Sequence, residues 1–228
     1  MYLVHGWGGW GLQLAAFVPA LVADRFRVVA YDAPSHGDSA PGPEGPGRST
    51  LLEIADAFQA VVDAEGPAYG VIAHSLGAAA ITHALKCGSQ AERVVFVAAA
   101  VDFAETLDQL QGVFRFGPRT RSSFLYRFSR RFGPMESFEV AGVIGDLAGR
   151  RELPALLAIH DRSDRETHYE GSVRVASVWP GAVVELTDGL GHRRILRDAA
   201  VAEAAHRHLS ADRAAASEPP EPQERMLG

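Results

Sequence analysis

Short apolar runs alternate along this chain with longer stretches of helical period, and this alternation limits the folds that the chain can adopt. Repetition of strand, helix and strand builds a parallel sheet with helices on both faces. We therefore predict an α/β fold with a mostly parallel sheet. Strands are predicted at residues 2–4, 27–31, 69–73, 93–97, 156–159 and 183–186, and helices at 12–22, 51–64, 76–86, 166–178 and 198–209.

The composition fits one domain with a full core. A chain of 228 residues, 47% of them hydrophobic, buries about 70% of its unfolded surface on folding, so disorder of the whole chain is excluded. The net charge of -6 argues against nucleic acid and against an anionic membrane as partners. Two uncharged stretches, residues 1–23 and 66–85, are interrupted by glycine or histidine and are not predicted to span a membrane. A single cysteine, Cys87, cannot form an internal disulfide, so a cytoplasmic location is predicted.

Three segments depart from the alternation, and the first of them, residues 41–47, is predicted to be a surface loop because Pro43 and Pro46 lie between glycines. We predict that residues 1–104 and 150–210 form the core, that residues 105–149 form a short helical lid, and that residues 211–228, rich in proline and glutamate, form a disordered tail. The lid and its borders hold seven of the eleven phenylalanines, interleaved with arginines. Aromatic and basic residues together also suggest nucleic acid binding, which the acidic chain disfavours. We interpret the phenylalanines as the apolar underside of the lid and the arginines as its exposed face. The phenylalanines are Phe103, Phe114, Phe116, Phe124, Phe128, Phe132 and Phe138.

Ser75, in the segment AHSLG, is the strongest candidate nucleophile. The segment directly follows a predicted strand and directly precedes a predicted helix. A nucleophile elbow needs small residues two positions either side of the serine because the turn is tight, and Ala73 and Gly77 meet that need. The first amides of the helix can stabilise negative charge on an oxygen near Ser75.

A serine nucleophile needs a general base and an acid that orients the base. His192 follows the predicted strand at 183–186, and Asp164 follows the one at 156–159, which gives the chain order Ser75, Asp164, His192 expected for this architecture. Asp161 lies in the same loop as Asp164 and competes with it. Either carboxylate could instead cap the helix that begins near Glu166. Asp164 is the preferred acid.

The glycine-rich loop HGWGGW, residues 5–10, is the candidate oxyanion loop. It follows the first predicted strand, where its glycines allow the backbone to approach a substrate closely. The backbone N–H groups of Trp7 and Leu76 are predicted to receive the oxyanion. Nucleotide binding is the alternative, but the glycines match neither of the common phosphate-binding patterns.

Together these segments resemble the motifs of the α/β-hydrolase superfamily. HGWGG is similar to its oxyanion loop, YDAPSHGDS (residues 31–39) to its second loop, AHSLG to its elbow, LLAIHDRSD to its acid loop and GLGH to its histidine loop. The resemblance spans residues 1 to about 209 and implies the α/β-hydrolase fold.

The chain departs from the family pattern at several positions. Ala73 and Ser35 stand where the family usually has glycine, and both are small. Asp161 also stands at a usual glycine, which leaves Asp164 aligned with the family's catalytic acid. The chain begins at the strand before the oxyanion loop, whereas the family normally has two earlier strands, so we expect a truncated or misassigned start, an open sheet edge and possible association into homo-oligomers.

The resemblance implies a serine hydrolase that cleaves a small, neutral, apolar carboxylic ester or thioester through an acyl-enzyme, without a metal or organic cofactor. Peroxidation, lyase chemistry and carbon–carbon bond cleavage at the same site are alternatives, because the pocket sets the reaction. A binding protein without turnover is an alternative of another class, which covalent labelling of Ser75 would distinguish. The substrate pocket is predicted to be lined by His5, Gly6, His74, Phe103, Phe114 and Phe116.

Overall fold

A computed structural model describes residues 1–217, with residue 113 and residues 212–217 described by their backbone alone. Six strands form one sheet in the order β2-β1-β3-β4-β5-β6, and every neighbouring pair is parallel. This arrangement confirms the predicted fold class. The strands are β1 (Tyr2–Val4), β2 (Val29–Ala30), β3 (Gly70–His74), β4 (Arg93–Val97), β5 (Ala155–Asp161) and β6 (Val183–Thr187).

Helices cover both faces of the sheet, as expected for strands that are apolar on both sides. The helices are α1 (Val18–Ala23), α2 (Leu51–Glu65), α3 (Leu76–Lys86), α4 (Phe103–Phe114), α5 (Pro118–Phe132), α6 (Val140–Ala148), α7 (Tyr169–Val178), α8 (Gly191–Arg194) and α9 (Ala199–Ser217), with 3₁₀ helices at Gly11–Phe17, Met135–Phe138 and Ile195–Arg197.

Successive side chains of a strand point to opposite faces of the sheet, where they pack into two separate hydrophobic cores. On β4, Phe96 packs with α2, α3, α6 and α7, whereas Val95 packs with α1 and α9 on the other face. Both side chains are almost fully buried. Because β4 lies inside the sheet and is covered on both sides, its end is a rigid platform for the loops that follow.

Three elements differ from the sequence-based prediction. The helix expected over residues 12–22 is a 3₁₀ helix followed by α1, because Pro19 has no backbone N–H and is accommodated in the first turn of a new helix. Strand β2 has only two residues. The tail expected from residue 211 is helical as far as Ser217, because alanine and arginine are strong helix formers. Residues 218–228 lie outside the described chain.

The segment between β4 and β5, residues 103–148, is called the cap below. Its helix α6 is anchored in the core through Val140 and Ile144, whereas α5 has no buried residue. Phe128 and Phe103 both pack edge-on against Phe138, with ring centroids 5.7 and 6.4 Å apart. These rings form the apolar underside that the sequence predicts.

Other phenylalanines of the cap do not share that position. The side chain of Phe114 is 71% exposed and that of Phe124 is 44% exposed. Phe114 is the last residue of α4, and the chain turns away directly after it through Arg115, which has a left-handed backbone. The interpretation of all seven phenylalanines as an underside is therefore correct only in part.

Candidate active site

Ser75 lies on a strained turn between β3 and α3. Its backbone has φ 52° and ψ -124°, a combination that non-glycine residues rarely adopt. The turn is crowded by the first strand, since a Cβ on Gly77 would lie 2.8 Å from the carbonyl oxygens of Val4 and His5. The need for small residues at this elbow therefore comes from the close approach of the oxyanion loop and its strand.

His192 is hydrogen-bonded to Ser75 and to Asp164 at the same time. Its Nε2 lies 3.1 Å from the Ser75 hydroxyl oxygen, and its Nδ1 lies 2.8 Å from Oδ2 of Asp164. The imidazole is buried at the start of α8. A neutral imidazole that donates from Nδ1 to the carboxylate leaves Nε2 free to accept the Ser75 proton.

Asp164 orients His192 and also organises its own loop. Oδ1 accepts the backbone N–H groups of Glu166 and Thr167 at 2.8 and 3.1 Å, while Oδ2 accepts from His192. Burial raises the pKa of Asp164, but hydrogen bonds from His160 and His192 lower it further, so the net pKa lies well below the usual range and the group is ionised. The two roles considered for Asp164 are thus divided between its oxygens. Oδ2 faces His192, and Oδ1 caps the local N–H groups.

Two residues that the sequence analysis did not assign to the site complete the surroundings of Asp164. The Thr167 hydroxyl donates to the carbonyl of Ala98 and lies 3.2 Å from both Asp164 Oδ2 and His192 Nδ1. His160 is fully buried, with Nε2 3.4 Å from Asp164 Oδ2 and Nδ1 2.7 Å from the Ser172 hydroxyl. The sequence signal for these residues was the polar segment HDRSDRET, residues 160–167. Which of its side chains contact Asp164, however, depends on how the loop folds.

The oxyanion loop lies directly against the elbow. A Cβ on Gly6 would stand 2.8 Å from Cβ of Ser75 and 3.2 Å from the backbone nitrogen of Leu76, so only glycine fits there. In the described part of the chain, the N–H groups of Trp7 and Leu76 have no hydrogen-bond partner. Both N–H groups named from the sequence are therefore free to donate, and their role as oxyanion donors stays a prediction.

Two histidines expected in the pocket are instead buried supports. His5 is 1% exposed, accepts the N–H of Ala33 at Nε2 and lies 2.8 Å from the Gly6 carbonyl at Nδ1. His74 donates from Nε2 to the backbone carbonyl of His192 at 3.1 Å. Burial and the nearby His192 lower the pKa of His74 to about 3, so it is neutral. Each ring fixes a loop of the site from behind.

The expected aromatic pocket of Phe103, Phe114 and Phe116 does not form a single wall. Phe103 packs towards Phe138, whereas Phe114 points to solvent. A different cleft opens beside the triad. It is lined by Ala99, Ala100, Val101, Asp102, Glu105, Thr106, Gln109, Glu166, Thr167 and His168.

This cleft adjoins the triad through two of its walls. The Ala100 N–H donates to the carbonyl of Ser75, and Thr167 contacts both Asp164 and His192. Three of its lining side chains are carboxylates, and each is paired with a basic side chain: Asp102 with Arg174, Glu105 with His168 and Glu166 with Arg193. Within residues 1–217, no group of three or more His, Cys, Asp or Glu side chains is arranged to hold a metal ion, and no helix is long and apolar enough to cross a membrane.

Comparison with known proteins identifies the family and the fold. The model of the family described as "Alpha/beta hydrolase family" matches residues 1–204. Among solved structures, a monoacylglycerol lipase from Paleococcus ferrophilus is 19% identical, with 91% of this chain and 93% of that chain covered and a TM-score of 0.61.

Two further solved structures have a similar fold. A hydrolase from Pseudomonas aeruginosa is 21% identical, with coverage of 91% and 88% and a TM-score of 0.63. The 2-hydroxy-6-oxo-6-phenylhexa-2,4-dienoate hydrolase of a Rhodococcus strain is 16% identical, with coverage of 92% and 89% and a TM-score of 0.66. No curated protein sequence matches the chain. At these identities the structures establish the fold and leave the substrate open.

Proposed function

Because the chain belongs to the α/β-hydrolase family, we propose that it is a serine hydrolase that cleaves a small, neutral carboxylic ester or thioester through an acyl-enzyme. The observation that carries the proposal is the unbroken hydrogen-bond chain from the Ser75 hydroxyl through His192 to the buried Asp164. A hydroxyl on a strained elbow, a neutral imidazole and an ionised carboxylate are the groups that acyl transfer requires.

The reaction begins when the Ser75 oxygen attacks the substrate carbonyl and its proton moves to Nε2 of His192. The resulting imidazolium is stabilised by Asp164, whose Oδ2 already accepts the Nδ1 proton. The proton then passes from Nε2 to the leaving alcohol or thiol, which departs and leaves an acyl group on Ser75. A water molecule, deprotonated by His192, releases the acid and restores Ser75.

The developing negative charge on the carbonyl oxygen is received by two backbone donors. The N–H groups of Trp7 and Leu76 belong to loops held in contact, since Gly6 lies against Ser75 and His5 is tied to Ala33. A fixed donor of this kind contributes about 3 to 4 kcal/mol to the stability of the transition state.

The cleft beside the triad supports a substrate with a short, apolar acyl group. The cleft encloses little space, which favours a short acyl chain over a long one. Ala99, Ala100 and Val101 provide its apolar wall.

Hydrolysis of p-nitrophenyl acetate, butyrate and octanoate by the wild type and by Ser75→Ala tests the proposal. We expect turnover of the acetate and butyrate esters, slower turnover of the octanoate, and a loss of about 10⁴-fold or more in the variant. Equal rates for the wild type and Ser75→Ala, with both proteins folded, would contradict it.

A further inference from the structure

Asp161 is a buried carboxylate that the mechanism above does not use. It is the last residue of β5 and has no exposed surface. Both of its oxygens are occupied by donors. Oδ1 accepts the N–H and the hydroxyl of Ser163 at 3.0 and 2.5 Å, and Oδ2 accepts the Thr187 hydroxyl at 2.7 Å and the Leu190 N–H at 2.9 Å.

These donors come from two separate loops. Ser163 belongs to the acid loop, residues 162–168, which carries Asp164. Thr187 and Leu190 flank the start of the histidine loop, residues 188–192, which ends at His192. The Asp161 side chain therefore joins the acid loop to the histidine loop. Asp161 directly precedes the acid loop, and its partner Leu190 lies two residues before His192 in the histidine loop.

Asp161 is not a second acid for His192. Both of its oxygens already accept hydrogen bonds from the two loops, and the Nδ1 proton of His192 is directed to Asp164 at 2.8 Å. Burial raises the pKa of Asp161, but the hydrogen bonds from Ser163, Thr187, Gly191 and Leu190 lower it further, so the net pKa is well below the usual range. An ionised carboxylate accepts stronger hydrogen bonds than a neutral group, which suits a clamp between two loops.

We infer that Asp161 is a positioning residue whose carboxylate clamps the histidine loop to the acid loop and so holds His192 at hydrogen-bond distance from Ser75 and Asp164 together. The inference rests on the proposed function, because positioning has a kinetic consequence only if the triad turns over.

The test compares Asp161→Asn with a milder variant and a matched control. Thr187→Val keeps the side-chain shape but removes one donor on the side of the histidine loop. Asp188→Asn removes an exposed carboxylate from that same loop. For each protein, saturating fluorophosphonate counts the reactive Ser75 sites, and kcat per labelled site and KM are then measured with p-nitrophenyl butyrate.

We expect Asp161→Asn to lower kcat per labelled site by about 10- to 100-fold with KM changed less than about twofold, because a misplaced base slows the chemical step. Thr187→Val should lower kcat by a smaller factor, and Asp188→Asn should match the wild type. A purely structural role would lower the melting temperature and the number of labelled sites while kcat per site stayed at the wild-type value. That result would overturn the inference.

A second readout does not depend on turnover. In the wild type, the His192 proton that bridges Nδ1 and Asp164 should give a low-field proton NMR signal. We expect this signal to broaden or disappear in Asp161→Asn and to persist in Asp188→Asn. If the wild type is neither labelled nor active, the proposed function fails while this comparison still tests the clamp, and an unchanged signal in Asp161→Asn would overturn it.

Discussion

The carboxyl end of the sheet and the cap hold their side chains in place by different means. At the end of the sheet, buried polar groups such as Asp161, Asp164 and His74 each have partners in another loop. In the cap, α5 is held by ring contacts such as Phe128 with Phe138 and by an exposed ion pair between Arg131 and Glu44. Buried polar networks fix distances closely, whereas aromatic contacts and exposed ion pairs allow neighbouring arrangements.

This difference has a consequence for function. The atoms of the proposed chemistry lie in the region where several directional hydrogen bonds fix each loop. The cap adjoins the cleft through α4, and its arrangement can change without moving these atoms. Substitutions at the end of the sheet should therefore change the rate of the chemical step. Substitutions of exposed cap residues outside the cleft should mainly change stability by small amounts.

The largest contrast is expected between Asp164→Asn and Asp146→Asn. In Asp164→Asn, the amide oxygen faces the N–H groups of Glu166 and Thr167, and the amide nitrogen then faces His192, which must move its proton to Nε2. His192 in that form cannot accept the Ser75 proton, so kcat for p-nitrophenyl butyrate should fall about 10⁴-fold. Asp146, exposed on α6 of the cap, provides the same chemical change and should leave kcat unchanged; a comparable loss there would break the comparison.

A glycine-to-alanine change in each region should give opposite outcomes. In Gly6→Ala, the new Cβ would lie 2.8 Å from Cβ of Ser75 and must displace the oxyanion loop, so kcat should fall about 100-fold. Around Gly112, in the exposed part of α4, there is nothing within 4 Å, and Gly112→Ala should raise the free energy of unfolding by about 1 kcal/mol. Esterase assays and urea unfolding of both variants check this, and full activity in Gly6→Ala would argue against the oxyanion loop.

The two regions should also respond to pH with opposite sign. The folded pKa of Asp161 is lowered, so its contribution to stability is present above about pH 4 and is lost as pH falls from there towards the folded value. Asp161→Asn should therefore lose less unfolding free energy than the wild type when the pH is lowered from about 5 to about 3.

Glu139, at the base of the cap, behaves in the other direction. Burial and the neighbouring Asp102 raise its pKa, despite N–H bonds from Ala104 and Phe103, so its ionised form disfavours folding above the raised pKa. Glu139→Gln should be more stable than the wild type near pH 7, and the gain should vanish below about pH 4. Urea unfolding across this range measures both effects; the same sign for Asp161→Asn and Glu139→Gln would contradict the assignment.

The smallest effect is expected from the ion pair that links α5 to the loop before α2. Arg131 lies 2.6 Å from both carboxylate oxygens of Glu44, but its side chain is 61% exposed. Arg131→Ala should lower the free energy of unfolding by less than about 1 kcal/mol, and added salt should reduce the difference. A double-mutant cycle with Glu44→Ala isolates the pair. A coupling well above this value would mean that the cap is held as firmly as the end of the sheet.

The sequence predicts the sheet well because its signals are local. Each strand is a short apolar run that contributes to both cores, as Val95 and Phe96 do on β4. Ser75, Asp164 and His192 could be named because each follows a strand, and parallel strands bring their carboxyl ends to one edge. Their atoms do lie within hydrogen-bond distance, and their catalytic role is our proposal.

What the sequence did not predict depends on contacts between distant residues. The role of Asp161 requires the Thr187 hydroxyl and the Leu190 N–H, which come from another strand and loop. Phe114 and Phe103 have the same side chain, and only the packing of α4 decides that one is exposed and the other faces Phe138. An amphipathic pattern shows that a face is apolar but does not identify its partner.

Mass spectrometry of the protein after incubation with a fluorophosphonate tests the central claim most directly, because the probe reacts with a serine activated by its base. We predict one phosphonyl adduct per chain, located on Ser75, and no adduct in Ser75→Ala or in heat-unfolded protein. The absence of an adduct on the folded wild type, or an adduct on another residue, would contradict it.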